Sequence, residues 1–200
     1  DHDRALHISL ALPGVHNVRN ALAAIAVATE LQVSDDHVVR ALNNFEGIER
    51  RFQTLGKVRT KNATVMLVDD YGHHPAEILA TLATAKTVWP DRRLIVVFQP
   101  HRYSRTQYLL ENFYSSFNDA DKLILLDIYG AGEKPIEGIN SRKLAKGIRE
   151  YGHKNVEHIE DADSLVPQLK FSLQSGDVVL TLGAGNIGEL AHKLAAEFRD

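Results

Sequence analysis

Three short runs that are apolar at almost every position constrain this chain most: Leu94 to Gln99 (LIVVFQ), Lys122 to Ile128 (KLILLDI) and Asp177 to Leu182 (DVVLTL). A strand that alternates apolar and polar residues buries one face, whereas a continuously apolar strand needs cover on both. The stretches around them, about Ser104 to Phe117, Ser141 to Tyr151, Ser164 to Leu173 and Asn186 to Phe198, carry apolar residues at helical spacing. Upstream, Phe52 to Arg59 and Thr64 to Asp70 read as strands, and Pro75 opens a helix to about Val88. Val156 to Ile159 reads as a further, shorter strand. This alternation predicts an α/β fold: an open, mostly parallel, Rossmann-like sheet with helices on both faces. Ligands of such sheets bind beyond the carboxyl ends of the strands, so the residues just after each strand are where chemistry is expected.

The first fifty residues follow a different pattern. Val15 to Leu31 is alanine-rich and places Val18, Leu22, Ile25, Ala26 and Thr29 near one helical face. Ser34 can cap a second helix running through Asn43, with Gly47 as a stop. Arg4 to Leu12 reads as a strand, yet nothing near it could complete a sheet or cover both helices. The expected division is therefore residues 1–50 as the end of one domain and 51–200 as an α/β domain. The net charge of -3 gives no long-range attraction for nucleic acid or an anionic membrane. The absence of cysteine rules out disulfides and thiolate metal sites. No apolar run approaches membrane-spanning length and the start, Asp1 to Arg4, lacks a signal pattern, so a soluble, cytoplasmic protein is expected.

Two strand ends concentrate reactive side chains. Asp69-Asp70-Tyr71-Gly72-His73-His74-Pro75 brings together two carboxylates, a phenol and two imidazoles ahead of a helix. Either this is a site, or Asp70 and His74 cap the helix while Gly72 makes the turn. No regular Cys, His or Asp spacing accompanies the adjacent histidines, which argues against zinc. Gln99-Pro100-His101-Arg102-Tyr103-Ser104-Arg105-Thr106 places two guanidiniums and an imidazole at a helix start, a pattern suited to a carboxylate or phosphate. The alternative is surface charge with Ser104 as the cap. The loop from Tyr129 to Asn140 is either a mobile binding loop or a long turn.

Gly183-Ala184-Gly185-Asn186-Ile187-Gly188 matches the dinucleotide fingerprint G-x-G-x-x-G, but only twelve residues follow Gly188 and no ribose-binding acid can lie about 20 positions on. A tight strand-to-helix turn that touches a ligand through backbone amides is the better reading, and an NAD-dependent oxidoreductase is disfavoured. Asn17 and Asn20, one helical turn apart, can read an adenine edge or cap the first helix. Arg50-Arg51-Phe52, at the junction, is linker charge or a clamp. The phosphate-cradling G-x-x-x-x-G-K-[ST] does not occur.

Taken together, Gly14-Val15-His16-Asn17-x-x-Asn20, Gly47-Ile48-x-Arg50-Arg51-Phe52, Val68 to Pro75, Gln99 to Thr106 and Gly183 to Gly188 resemble, in order, the motifs of the Mur ligase family, in particular its alanine-adding branch. The resemblance implies a three-domain ATP-dependent ligase, with residues 1–50 ending the central ATP-binding domain and 51–200 forming the carboxyl-terminal one. It implies ATP and Mg2+ as cofactors, with the phosphate loop and the main Mg2+ ligands upstream, so that the fragment alone would be inactive. The implied substrates are UDP-N-acetylmuramate and L-alanine, joined through an acyl phosphate in peptidoglycan precursor synthesis. The remaining domains of the same enzyme are the implied partners, with no nucleic acid or membrane. On this resemblance Asn17 and Asn20 contact adenine, and Arg51 and Asp70 hold the ribose and phosphate region and serve catalysis. Tyr71, His73, His101, Arg102 and Arg105 fall among the substrate contacts. A sibling ligase that attaches a recycled murein peptide to the same nucleotide sugar, and a non-catalytic nucleotide-binding domain, are the competing expectations.

Overall fold

A computed structural model describes residues 5–60, 62–160 and 162–197, which form two compact units, Asp1–Glu49 and Arg50–Asp200. Arg4 and Phe198, at the ends of two expected elements, and the start read for a signal lie outside the described residues. In the first unit α1 (Val15–Glu30) and α2 (Asp35–Asn43) form where alanine content and the serine cap predict them. Ser34 sits at the cap position, but its hydroxyl lies 2.5 Å from His37 Nδ1 rather than bonding a helix amide. No residue of α1 is buried, and Val15, Leu22 and Leu31 are exposed. The expected strand before it is absent from residues 5–12. A strand needs a partner ladder, and this unit has none among its described residues; the Ser9 amide donates instead to Asn43 Oδ1 at 2.8 Å.

The second unit is built on one six-stranded sheet. In chain order its elements are β1 (Gln53–Arg59), β2 (Thr64–Asp70), α3 (Pro75–Val88), β3 (Leu94–Phe98), α4 (Tyr103–Tyr108), α5 (Leu110–Tyr114), β4 (Lys122–Leu126), α6 (Ser141–Glu150), β5 (Val156–Ile159), α7 (Ala162–Ser172), β6 (Val178–Leu182) and α8 (Ile187–Glu197). The strand order is β1-β2-β6-β3-β4-β5, with β1 antiparallel to β2 and every other pairing parallel. From β2 to β5 the chain winds one way; it then returns to insert β6 between β2 and β3. Winding in two directions puts helices on both faces.

The apolar runs show why both faces need cover. Along β4, Leu123 and Leu125 pack with Ile78 and Leu82 of α3, Phe113 of α5 and Leu144 of α6. Ile124 and Leu126 point the other way, into a core with Leu165 and Leu169 of α7 and Leu190 and Leu194 of α8. All five residues of β6 are buried. The single helix expected over Ser104 to Phe117 is instead two short helices separated at Leu109. No glycine or proline marks that break, so apolar spacing alone could not place it. Among the described residues no helix is long and apolar enough to cross a membrane.

Leu180 is fully buried at the middle of the central strand β6. Replacing it with alanine is expected to lower the unfolding free energy by about 2–5 kcal/mol. In a urea titration this appears as a lower midpoint with an unchanged slope.

Candidate active site

Two buried carboxylates close β2. Asp70 is 5% exposed, and both its oxygens are engaged: Oδ2 accepts from the Phe52 amide at 2.7 Å, and Oδ1 from the Gly72 amide at 2.7 Å and the Thr81 hydroxyl at 3.4 Å. Burial pushes its pKa above the ordinary carboxylate value, and the Gly72 and Phe52 amides and Arg51 oppose the shift. Asp69, 1% exposed, accepts from the Thr181 hydroxyl at 2.6 Å and from Arg50 Nε at 2.8 Å. Of the Arg51 and Asp70 pair singled out in the sequence, Arg51 is the one that presents charge outward. Its side chain is 48% exposed, 3.7 Å from Glu77 and 5.7 Å from the Tyr71 ring centroid. The helix cap divides likewise: His74 caps α3 by accepting from the Ala76 amide, in a capping box with Glu77, and Asp70 does not cap it.

A row of rings runs across the neighbouring strand ends. Tyr71 meets His73 edge-on at 5.4 Å, His73 meets His101 at 5.7 Å, and His101 stacks on Tyr129 at 5.7 Å. His73 Nδ1 lies 3.0 Å from the Tyr71 carbonyl, which can only accept, so this nitrogen carries the hydrogen and leaves Nε2 for other partners. The reverse holds at His101: Nδ1 lies 3.0 Å from the Arg105 guanidinium, which can only donate, so the neutral ring carries its hydrogen on Nε2. Burial and then Arg105, His73 and Arg102 depress the His101 pKa, which favours the neutral ring. Among the described residues no group of three or more His, Cys, Asp or Glu could hold a metal ion.

The predicted anion position at the start of α4 is occupied by the protein itself. Glu133 accepts from the Ser104 amide at 3.0 Å and the Ser104 hydroxyl at 2.6 Å, and lies 3.8 Å from Arg102. Those hydrogen bonds hold its pKa below the usual glutamate value. The cap is Arg102, with a left-handed φ of 71°, and Ser104 lies inside the helix. Arg102 N donates to the Tyr129 carbonyl and Tyr129 N to the Pro100 carbonyl, each at 2.8 Å, so the long loop is tied down at its start. In the first unit, Asn17 donates to the Pro13 carbonyl at 2.7 Å, which anchors the start of α1, while Asn20 is exposed.

Each glycine of the fingerprint-like turn answers to an internal contact. A Cβ on Gly183, whose φ is 147°, would lie 2.7 Å from the Gln99 carbonyl oxygen. One on Gly185 would lie 2.6 Å from Gln99 Oε1 and 2.8 Å from the Tyr129 ring. The carbonyls of Gly183 and Gly185 accept from Arg50, at 2.5 and 3.4 Å, and the Ile187 amide donates to Gln99 Oε1 at 3.2 Å. Arg50, Gln99, Tyr129 and Glu133 therefore join the site, although the sequence offers them only within longer runs: Arg50 in the Arg50-Arg51-Phe52 junction, Gln99 at the head of Gln99 to Thr106, and Tyr129 and Glu133 in the loop from Tyr129 to Asn140. Gln99 and Tyr129 do stand just past strand ends, which was a usable signal. Nothing in the Arg50-Arg51 pair shows which side chain turns inward.

Residues 50–185 match the family model described as Mur ligase, glutamate ligase domain. The chain belongs to the Mur ligase family. This Mur ligase domain is similar to the UDP-N-acetylmuramate-alanine ligase MurC of Thermotoga maritima, with 29% identity and a TM-score of 0.77 over 98% of this chain and 40% of that one. It shares its fold with a murein peptide ligase of Psychrobacter arcticus (24% identity, TM-score 0.70, 96% of this chain and 39% of that one). It also shares the fold of a pseudomurein peptide ligase type C of Methanothermus fervidus (21% identity, TM-score 0.72, 98% and 38%). The chain thus spans about 40% of the length of these proteins.

An NMR titration of the His101 ring is expected to give a midpoint below the ordinary histidine value, with the proton on Nε2 in the neutral form. Arg105→Gln, which removes the second-largest cause of the depression, should raise that midpoint. An unchanged midpoint would show that Arg105 does not act on the ring.

Proposed function

We propose that this chain is the carboxyl-terminal part of a cytoplasmic, ATP-dependent ligase that joins L-alanine to UDP-N-acetylmuramate in peptidoglycan precursor synthesis. The observation that carries this reading is the Tyr71–His73–His101–Tyr129 row beside the outward Arg51, at the carboxyl edge of a Mur ligase sheet. The greater likeness to the alanine ligase than to the murein peptide ligase favours L-alanine over a recycled peptide as acceptor.

ATP, when bound, supplies the phosphoryl group that activates the muramoyl carboxylate, and Mg2+ offsets the accumulating negative charge. Arg51 fits a phosphate, being a half-exposed guanidinium whose nearest carboxylate is 3.7 Å away. Asp70 holds the strand end from which Arg51 and Tyr71 project, through the Phe52 and Gly72 amides, and its Oδ2, which accepts a single hydrogen bond, keeps a lone pair for the ribose and phosphate region. No Mg2+ ligand is assigned to these residues, and the phosphate loop and metal ligands belong to the remaining domains of the same enzyme. Asn17 and Asn20 offer side-chain amides to an adenine edge. His73, with Nε2 available, is suited to accept a proton from the incoming ammonium group, and the neutral His101 adds a donor without adding charge. Arg102 and Arg105 supply positive potential at the acceptor carboxylate, with Arg102 shared with Glu133.

In the full-length enzyme, Arg51→Ala is expected to lower kcat by roughly 100-fold or more while shifting the melting temperature by less than about 2 °C. The assay is phosphate release that requires both UDP-N-acetylmuramate and an acceptor, run with L-alanine and with a murein peptide. Turnover with the peptide alone would transfer the assignment to the sibling activity, and equal activity of Arg51→Ala would remove Arg51 from the site. Asp70→Ala, by contrast, should lose stability together with activity, because it leaves the buried Phe52 and Gly72 amides without their acceptor.

A further inference from the structure

Arg50 occupies an unusual place for an arginine at a unit boundary. Its side chain is 21% exposed, and its guanidinium reaches three acceptors on two segments: Asp69 at the end of β2, and the carbonyls of Gly183 and Gly185 after β6. Its backbone is fixed as firmly. The φ of Arg50 is 60°, its amide donates to Gln53 Oε1 at 2.9 Å, and its carbonyl accepts from the Tyr71 amide at 2.6 Å. The guanidinium carbon lies 5.1 Å from the Tyr71 ring centroid, within cation–π range. Gly188, the second residue of α8, has helical backbone, where alanine ordinarily outranks glycine. A Cβ there would lie 2.8 Å from the Arg50 guanidinium. The end of a free side chain would move aside, but this one is held by its three acceptors.

We infer that the turn from Gly183 to Gly188 is a dock for the Arg50 guanidinium, and that Arg50, seated there, is the positioning residue that sets Tyr71 at the head of the ring row. The resemblance to a dinucleotide loop then has a different cause: the carbonyls of the turn face a cation of the same chain, and its last glycine leaves room for that cation. The dock itself stands on the contacts alone. Its meaning for catalysis rests on the function proposed above.

The test is a thermal double-mutant cycle on this chain with Gly188→Ala and Arg50→Ala. In the parent, Gly188→Ala is expected to lower the melting temperature by on the order of 5 °C through overpacking. In the Arg50→Ala background the same change should leave the melting temperature unchanged or raise it. An equal drop in both backgrounds overturns the dock. If Arg50→Ala does not fold, Arg50→Gln, shorter and uncharged, closes the same cycle. For the positioning role, Arg50→Lys keeps the charge but lacks the planar fork. It should stay folded and displace the Tyr71 ring and His73 resonances in the NMR spectrum, whereas unmoved resonances in a folded Arg50→Lys variant overturn that role. Neither readout needs a ligand, so a failed dock and a failed assignment of the reaction are separate results.

Discussion

Asp69 and Asp70 lie side by side at the end of β2, nearly out of contact with water, and the geometry of the site follows from how their charges are met. A buried carboxylate is tolerated only with hydrogen-bond donors or a cation against it. Asp69 takes a guanidinium and a hydroxyl, from Arg50 and Thr181. Asp70 takes two backbone amides, from Phe52 and Gly72. These donors come from the segment before β1, from β6 and from the turn after β2. Satisfying two carboxylates therefore fixes three stretches of backbone relative to one another. Removing one partner of such a buried pair typically costs about 3–5 kcal/mol.

Sheet topology decides which segments can take part. Because β6 inserts between β2 and β3, the turn that follows it emerges next to Asp69 on one side and Gln99 on the other. Arg50 enters from the β2 side and Gln99 from the β3 side, so the glycine turn is held from both flanks. The parallel bridge between His101 and Tyr129 extends this register one step past β3 and β4 and brings their rings face to face. The ring row is thus the side-chain continuation of the strand order.

The electrostatics of the row are divided along its length. Arg51 stands at the Tyr71 end with a substantial part of its surface in water. At the other end Arg105 donates to His101 and, after burial, adds to the lowering of its pKa, while Glu133 lies against Ser104 and near Arg102. At the imidazole end a ring nitrogen and the Arg102 and Arg105 guanidiniums lie together.

The α/β class, the mostly parallel sheet and nearly all the elements of the second unit could be read from the sequence, because continuously apolar strands and amphipathic helices are local patterns with local causes. The clustering of Asp, His and Arg just past the strand ends is likewise visible in one dimension. What failed were features that depend on distant partners. The strand expected before α1 had no ladder to join, the helix after β3 broke without a breaker residue, and the start of α4 was filled by Glu133, which is 29 residues away. Of two adjacent arginines, only tertiary structure decided that Arg50 turns inward and Arg51 outward, because the choice depends on acceptors at Gly183 and Gly185, more than 130 residues along the chain. The sequence by itself determined which segments become strands and helices and where polar groups cluster; the strand order decided which of those groups meet, because hydrogen bonds and charge compensation act through space between residues that sequence distance does not bring together.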